Sequence, residues 1–146
     1  MTYRFYNAQV LAEDFKTTFD GEVHVNGKII TYAGPSLPTN NNDTKTFDRE
    51  IDCKHNLLMP GLKNSHTHVY ASFGRSMSDN LPLQDWLEKV IWPSERKLNY
   101  DDAYVLSLLG FAEALACGTT GMFDMYAFEY ARAQAAIDSK MRLTMC

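Results

Sequence analysis

Two histidines separated by one residue, His66 and His68 in Leu62-Lys63-Asn64-Ser65-His66-Thr67-His68, carry the strongest chemical signal in the sequence. On a strand, residues i and i+2 project to the same face, so both imidazoles stand side by side. Two convergent neutral imidazoles form a natural half-site for Zn²⁺, which prefers nitrogen ligands at about 2.0–2.1 Å. The spacing alone fits surface or cap histidines equally well. Context separates the readings: the pair ends an apolar strand entered through Pro60-Gly61 and opens a long connection to the next strand. In α/β barrels the C-terminal strand ends build the active site, and the loops that follow set specificity. Asp124 stands at the end of that next strand, where binding backbone or supporting neighbouring groups is the expected role.

The elements around the pair can be read from periodicity. Leu83, Trp86, Leu87, Val90 and Ile91 follow an i, i+3, i+4, i+7, i+8 pattern, one face of a helix, with Pro82 in its first turn and Pro93 closing it. Trp86 is expected in the core, and Trp92 nearer a ligand. A second helix is capped by Asn99, with Asp101 and Asp102 near the positive end of its dipole. Its apolar stripe runs Val105, Leu108, Leu109, Ala112, Leu115, and Gly118 suits its C-terminal cap. Thr119–Tyr126 reads as a strand, 128–139 as a helix and 142–146 as the start of a strand. Alternating strands and helices imply a parallel sheet with helical crossovers.

The first third reads differently. Glu22–Val25 and Lys28–Tyr32 flank Asn26-Gly27, the dipeptide best suited to a two-residue hairpin turn. Alternation places His24 opposite Val23 and Val25, and so toward solvent. A polar loop follows over 38–43, then a short strand within 47–53.

The 146 residues carry 14 Lys+Arg against 18 Asp+Glu, a net charge of −4 that offers no basic footprint for nucleic acid. No apolar stretch approaches the ~20 residues of a membrane helix. The N-terminus lacks the apolar region of a secretory signal. Cys53, Cys117 and Cys146 form no C-x-x-C pair, which reads as reduced, mostly buried cysteines in a cytoplasmic protein.

Leu58-Met59-Pro60-Gly61 through His68 closely resembles the opening metal motif of the amidohydrolase superfamily. The resemblance extends over Leu81–Leu87, Ile91-Trp92-Pro93-Ser94-Glu95 and Gly118–Tyr126. These stretches are similar to the branch that contains 5′-methylthioadenosine/S-adenosylhomocysteine deaminases, with the s-triazine chlorohydrolases as relatives. Lys63 departs from the pattern, which usually has an apolar residue there. The resemblance implies His66 and His68 as metal ligands, of zinc first and of iron or manganese as alternatives. It implies Glu95 as the carboxylate that grips the ribose hydroxyls of an adenosine-type substrate. Arg75 matches a recurrent family position, although a surface salt bridge accounts for it as simply.

The implied reaction is metal-assisted hydrolytic deamination of a small nucleoside or heteroaromatic amine. It needs further histidines, a glutamate and an aspartate that the family draws from later strands. The implied fold is an incomplete (β/α)8 barrel over 57–146, preceded by part of a small β-sandwich over 1–56. A closed barrel needs eight strands and typically ~250 residues, whereas about three strands are expected here. The chain is therefore expected to be the N-terminal part of a longer enzyme, inactive alone and homo-oligomeric when complete. A guanine deaminase, an s-triazine chlorohydrolase or a non-catalytic interaction module are the alternatives.

Overall fold

The computed structural model of the chain describes residues 1–38, 46–77 and 80–146. The polar loop expected over 38–43 thus lies, apart from Pro38, outside the described residues. Two compact units make up the chain, Met1–Pro60 and Gly61–Cys146.

In the first unit, β1 (Thr2–Leu11) is the central strand. It pairs antiparallel with β2 (Thr18–Asn26), which turns into β3 (Ile29–Gly34) through Gly27-Lys28, one residue later than expected, because Asn26 stays in the strand and pairs with Ile29. Gly27 adopts φ +59°, the left-handed conformation the turn requires. The short strands β4 (Arg49–Asp52) and β5 (Leu57–Leu58) lie parallel to β1. Phe5, Val10, Val23, Val25, Ile30 and Leu58 border an apolar groove of about 450 Å³.

His24 does not face solvent. It is 2% exposed, covered by the Tyr32 and Phe47 rings with centroids 5.1 and 4.7 Å away. The alternation itself is right, but aromatic residues distant in sequence bury the polar face as well. His24 Nε2 lies 2.9 Å from Glu22 Oε1, and Arg4 donates to Glu22 Oε2 from Nε and Nη2 at 3.0 and 2.6 Å. Burial pushes the Glu22 carboxyl up, but the Arg4 and His24 hydrogen bonds outweigh it and hold the carboxyl below its ordinary range. A carboxyl held low in the folded state contributes stability that is complete above its ordinary pKa and disappears as pH falls through the lowered value. This unit is therefore expected to weaken below about pH 4.5, the ordinary value for this side chain. Glu22→Gln should flatten that acid limb in a circular-dichroism titration; an unaltered limb would contradict the assignment.

The second unit is a three-stranded parallel sheet in the order β6 (Leu62–Thr67), β7 (Thr119–Asp124), β8 (Arg142–Met145). Helices α3 (Tyr100–Ala116) and α4 (Glu129–Ser139) supply the crossovers, and Val69, Phe111, Met122, Ala135, Ala136 and Met141 form the core. A capping box starts α3. Asn99 Oδ1 accepts from the Asp102 N–H at 3.1 Å, and Asp102 Oδ2 accepts from the Asn99 N–H at 3.0 Å. Gly118, at φ +81°, ends the helix, and its carbonyl accepts the Leu62 N–H at 2.9 Å to start β6.

The expected stripe of α3 is not its buried face. Val105 is 61% exposed, and Leu109 and Leu115 are also open, whereas Ala103, Ser107 and Phe111 are buried. At Gly110 this face must be small, because α3 there passes very close to the segment after His68. A Cβ on Gly110 would lie 2.6 Å from the Val69 carbonyl oxygen and 2.8 Å from its Cγ2. Gly110→Ala is expected to cost about 1–3 kcal/mol through overpacking. An unchanged urea midpoint would show that the contact yields freely.

The segment before α3 differs from expectation at Pro93. A short 3₁₀ helix (Val69–Gly74) follows β6, and the chain then coils through α1 (Leu83–Trp86), a π-helical turn (Leu87–Ile91) and α2 (Trp92–Glu95). Pro93 does not close the helix. The widened turn before it, with Trp92 N–H bonded to the Leu87 carbonyl, accommodates a ring that lacks a donor and crowds the preceding turn.

The cysteines are free, as expected, but Cys117 and Cys146 are exposed rather than buried. No helix among the described residues is long and apolar enough to cross a membrane.

Candidate active site at the ends of the parallel strands

His66 and His68 emerge at the C-terminal end of β6, and their ring centroids lie 5.0 Å apart in an edge-on arrangement. His68 Nδ1 is 2.6 Å from the Met125 carbonyl oxygen, just past the end of β7. A carbonyl only accepts, so Nδ1 carries the proton and the Nε2 lone pair is left free. Metal-binding histidines are fixed in the same way, by donating their other ring nitrogen to a carbonyl or carboxylate. Among the described residues, no third His, Cys, Asp or Glu joins the pair to form a metal-holding cluster. The two imidazoles fit part of a zinc donor set and do not complete one.

Tyr126 packs on His68 with ring centroids 4.7 Å apart, and Tyr70 lies 4.9 Å behind Tyr126. Glu95, at the end of α2, approaches both phenols. Burial, and after it the Glu95 carboxylate, holds the Tyr126 hydroxyl well above its usual range, and Tyr70 is raised in the same way. Glu95 Oε1 is buried and has no hydrogen-bond partner. A buried acceptor left unpaired costs about 1–3 kcal/mol, more when charged, so this oxygen is poised for an incoming donor.

Beside His68 and Tyr126 opens a cavity of about 410 Å³, walled by Ser72, Trp86, Leu87 and Ile91. Trp86 thus lines this cavity instead of sitting wholly in the core. Trp92 is not among its walls and is 40% exposed. Arg75 makes the surface salt bridge, donating to both Glu113 oxygens at 2.9 and 2.7 Å. Asp124 is completely buried, and its Oδ1 accepts the Val69 N–H at 2.8 Å, the backbone-binding role expected of it.

Two residues of the site escape sequence reasoning. Tyr126 lies within the stretch used for the family resemblance but offers no spacing of its own. Arg132 sits on α4 among Ala131, Ala135 and Ala136, fully buried and paired with Asp124. A long cation on the alanine face of a helix, eight residues after a strand-end aspartate, was the available signal.

Comparison with known proteins agrees with this geometry. The amidohydrolase family matches residues 57–146. A 5′-deoxyadenosine deaminase of Methanosarcina barkeri is 39% identical over 121 residues, 83% of this chain and 28% of that protein. A 5-methylthioadenosine/S-adenosylhomocysteine deaminase of Carboxydothermus hydrogenoformans is 37% identical over 142 residues, 97% of this chain and 32% of that one. Among solved structures, an adenosine deaminase from Xanthomonas campestris with bound zinc superposes with a TM-score of 0.84 at 27% identity, over 97% of this chain and 32% of its own. The chain thus spans under a third of the length of these relatives. Its parallel strands and crossover helices are a partial (β/α)8 barrel of mixed α/β content. With the histidine pair at the strand ends and the match running unbroken through all three strands, the chain belongs to the amidohydrolase family.

Proposed function

We propose that this chain supplies the first metal-binding residues and the ribose-recognition carboxylate of a zinc-dependent hydrolytic deaminase acting on adenosine-type nucleosides. Residues 57–146 are its first βα units, and residues 1–56 belong to its β-sandwich. The buried, unpartnered Glu95 Oε1, on a carboxylate that interacts with the Tyr126 hydroxyl, is the observation that carries the substrate class. A vicinal diol offers two O–H donors, and a carboxylate can accept both.

His66 and His68 would hold the metal through imidazole nitrogen, with the His68 ring already oriented by the Met125 carbonyl. When bound, a zinc ion supplies Lewis acidity and makes water nucleophilic near neutral pH. Tyr126 shields one face of His68 from water and limits how Glu95 can turn. The apolar wall of Trp86, Leu87 and Ile91 excludes solvent beside the bound substrate. The remaining ligands and proton-transferring groups would come from polypeptide other than these 146 residues, so the chain alone is inactive.

Glu95→Gln, in a polypeptide carrying the complete barrel, is expected to raise KM for nucleosides about tenfold or more. That is the ~1.5–3 kcal/mol a charged hydrogen bond contributes. Free bases, which lack the diol, should be unaffected. Equal effects on nucleosides and bases would remove the ribose role.

A further inference from the structure

The guanidinium of Arg132 is completely buried and reaches from α4 to the end of β7. Nη1 donates to Asp124 Oδ2, and Nη2 donates to the Tyr126 carbonyl at 2.5 Å. The other Asp124 oxygen accepts the N–H of Val69, the residue that follows His68. Between Asp124 and Tyr126 stands Met125, whose carbonyl receives the proton of His68 Nδ1. One side chain therefore grips both neighbours of the carbonyl that orients the His68 ring. Through Asp124, it also grips the backbone next to His68.

Stability alone does not account for such a pair. Removing two charges from water costs several kcal/mol each, and apolar residues of similar volume often serve as well or better. An apolar substitute would leave the Tyr126 carbonyl and the Val69 N–H without partners. Only a planar fork can pair with a carboxylate and reach a second acceptor at a fixed angle.

We infer that Arg132 is a positioning residue: through Asp124 and the Tyr126 carbonyl it fixes the Met125 carbonyl, and so holds His68 in the single tautomer with Nδ1 protonated and Nε2 free. The purpose of that tautomer rests on the reading of His68 as a metal ligand; the arrangement itself does not.

The test is ¹⁵N NMR of the His68 ring in the metal-free 146-residue chain at pH 8. The wild type should show Nδ1 protonated and Nε2 bare, and a protonated Nε2 would overturn the inference without any variant. The double substitution Asp124→Asn/Arg132→Gln leaves no buried charge, and the conservative Arg132→Lys keeps the charge beside Asp124 but loses the fork. Both are expected to lose the single tautomer and show a mixture of the two, Arg132→Lys less completely. A purely structural arginine would leave the tautomer unchanged in either variant that folds, and that result overturns the proposal. If the tautomer responds to Arg132 while His68→Ala leaves zinc stoichiometry intact in the complete enzyme, the positioning role stands and the ligand role falls.

Discussion

Alanine in place of His66 or His68, in a polypeptide carrying the complete barrel, is expected to release the metal and abolish measurable turnover. Losing a hydrogen-bond partner of a ligand typically costs about 10–100-fold in metal affinity or activity. Losing the ligand itself should exceed that range, since catalytic zinc sites commonly rest on only three protein ligands. The two positions should also differ in kind. His68 is half-buried, bonded to the Met125 carbonyl and packed at a tilt against Tyr126, so its loss also frees two neighbours. His66 is exposed and touches mainly His68, so its loss should leave folding intact. Zinc content measured with the urea midpoint separates the effects: metal loss in both variants, and a stability loss greater for His68→Ala. Zinc retained at full stoichiometry in either variant would contradict the ligand assignment.

Arg132→Met should produce the greatest loss of stability in the second unit. It removes one partner of a completely buried pair and strands the Asp124 carboxylate, a change that costs about 3–5 kcal/mol in comparable settings. Domains of ordinary size are stable by only about 5–15 kcal/mol, so much of the margin would be spent. Urea denaturation monitored at the tryptophans reads the loss. A change below about 1 kcal/mol would mean that water reaches Asp124 and the pair is not insulated. Asp124→Asn added to Arg132→Met should recover part of the loss, because no unpaired charge then remains buried.

Features set by a few adjacent residues were legible in the sequence. The Asn99 cap and the Gly118 helix end each follow from chemistry within four residues and are in place, and the hairpin forms as expected with its turn one residue later, at Gly27-Lys28. The i, i+2 relation of His66 and His68 was legible for the same reason. Features decided by distant packing were not. His24 alternates as a surface residue, yet the Tyr32 ring and the Phe47 ring, 23 positions away, bury it. The stripe from Val105 to Leu115 has the period of a core face, yet the buried face of α3 is the one that carries Ala103, Ser107 and Phe111. Glu95 was reached through family resemblance alone, because no local pattern distinguishes it from a solvated residue after Pro93. Arg132 was missed since its partners lie on a strand end and a loop, joined to it only by folding.

The widened turn at Leu87–Ile91 bears on Glu95 in a way substitutions cannot reveal. One residue advances an α-helix by about 100°, and a π-helical turn holds about one residue more than an α turn. Everything after Ile91 is therefore rotated in phase relative to the Leu83–Trp86 turn by roughly a quarter of a revolution. Removing a single residue from Leu87–Ile91 would reset that phase. Glu95 would swing away from Tyr126, and Pro93 would be driven against an ordinary α-helical turn. The direction in which this carboxylate points is written into the count of residues preceding it, so its role is more sensitive to a deletion five residues upstream than to most changes of side chain nearby.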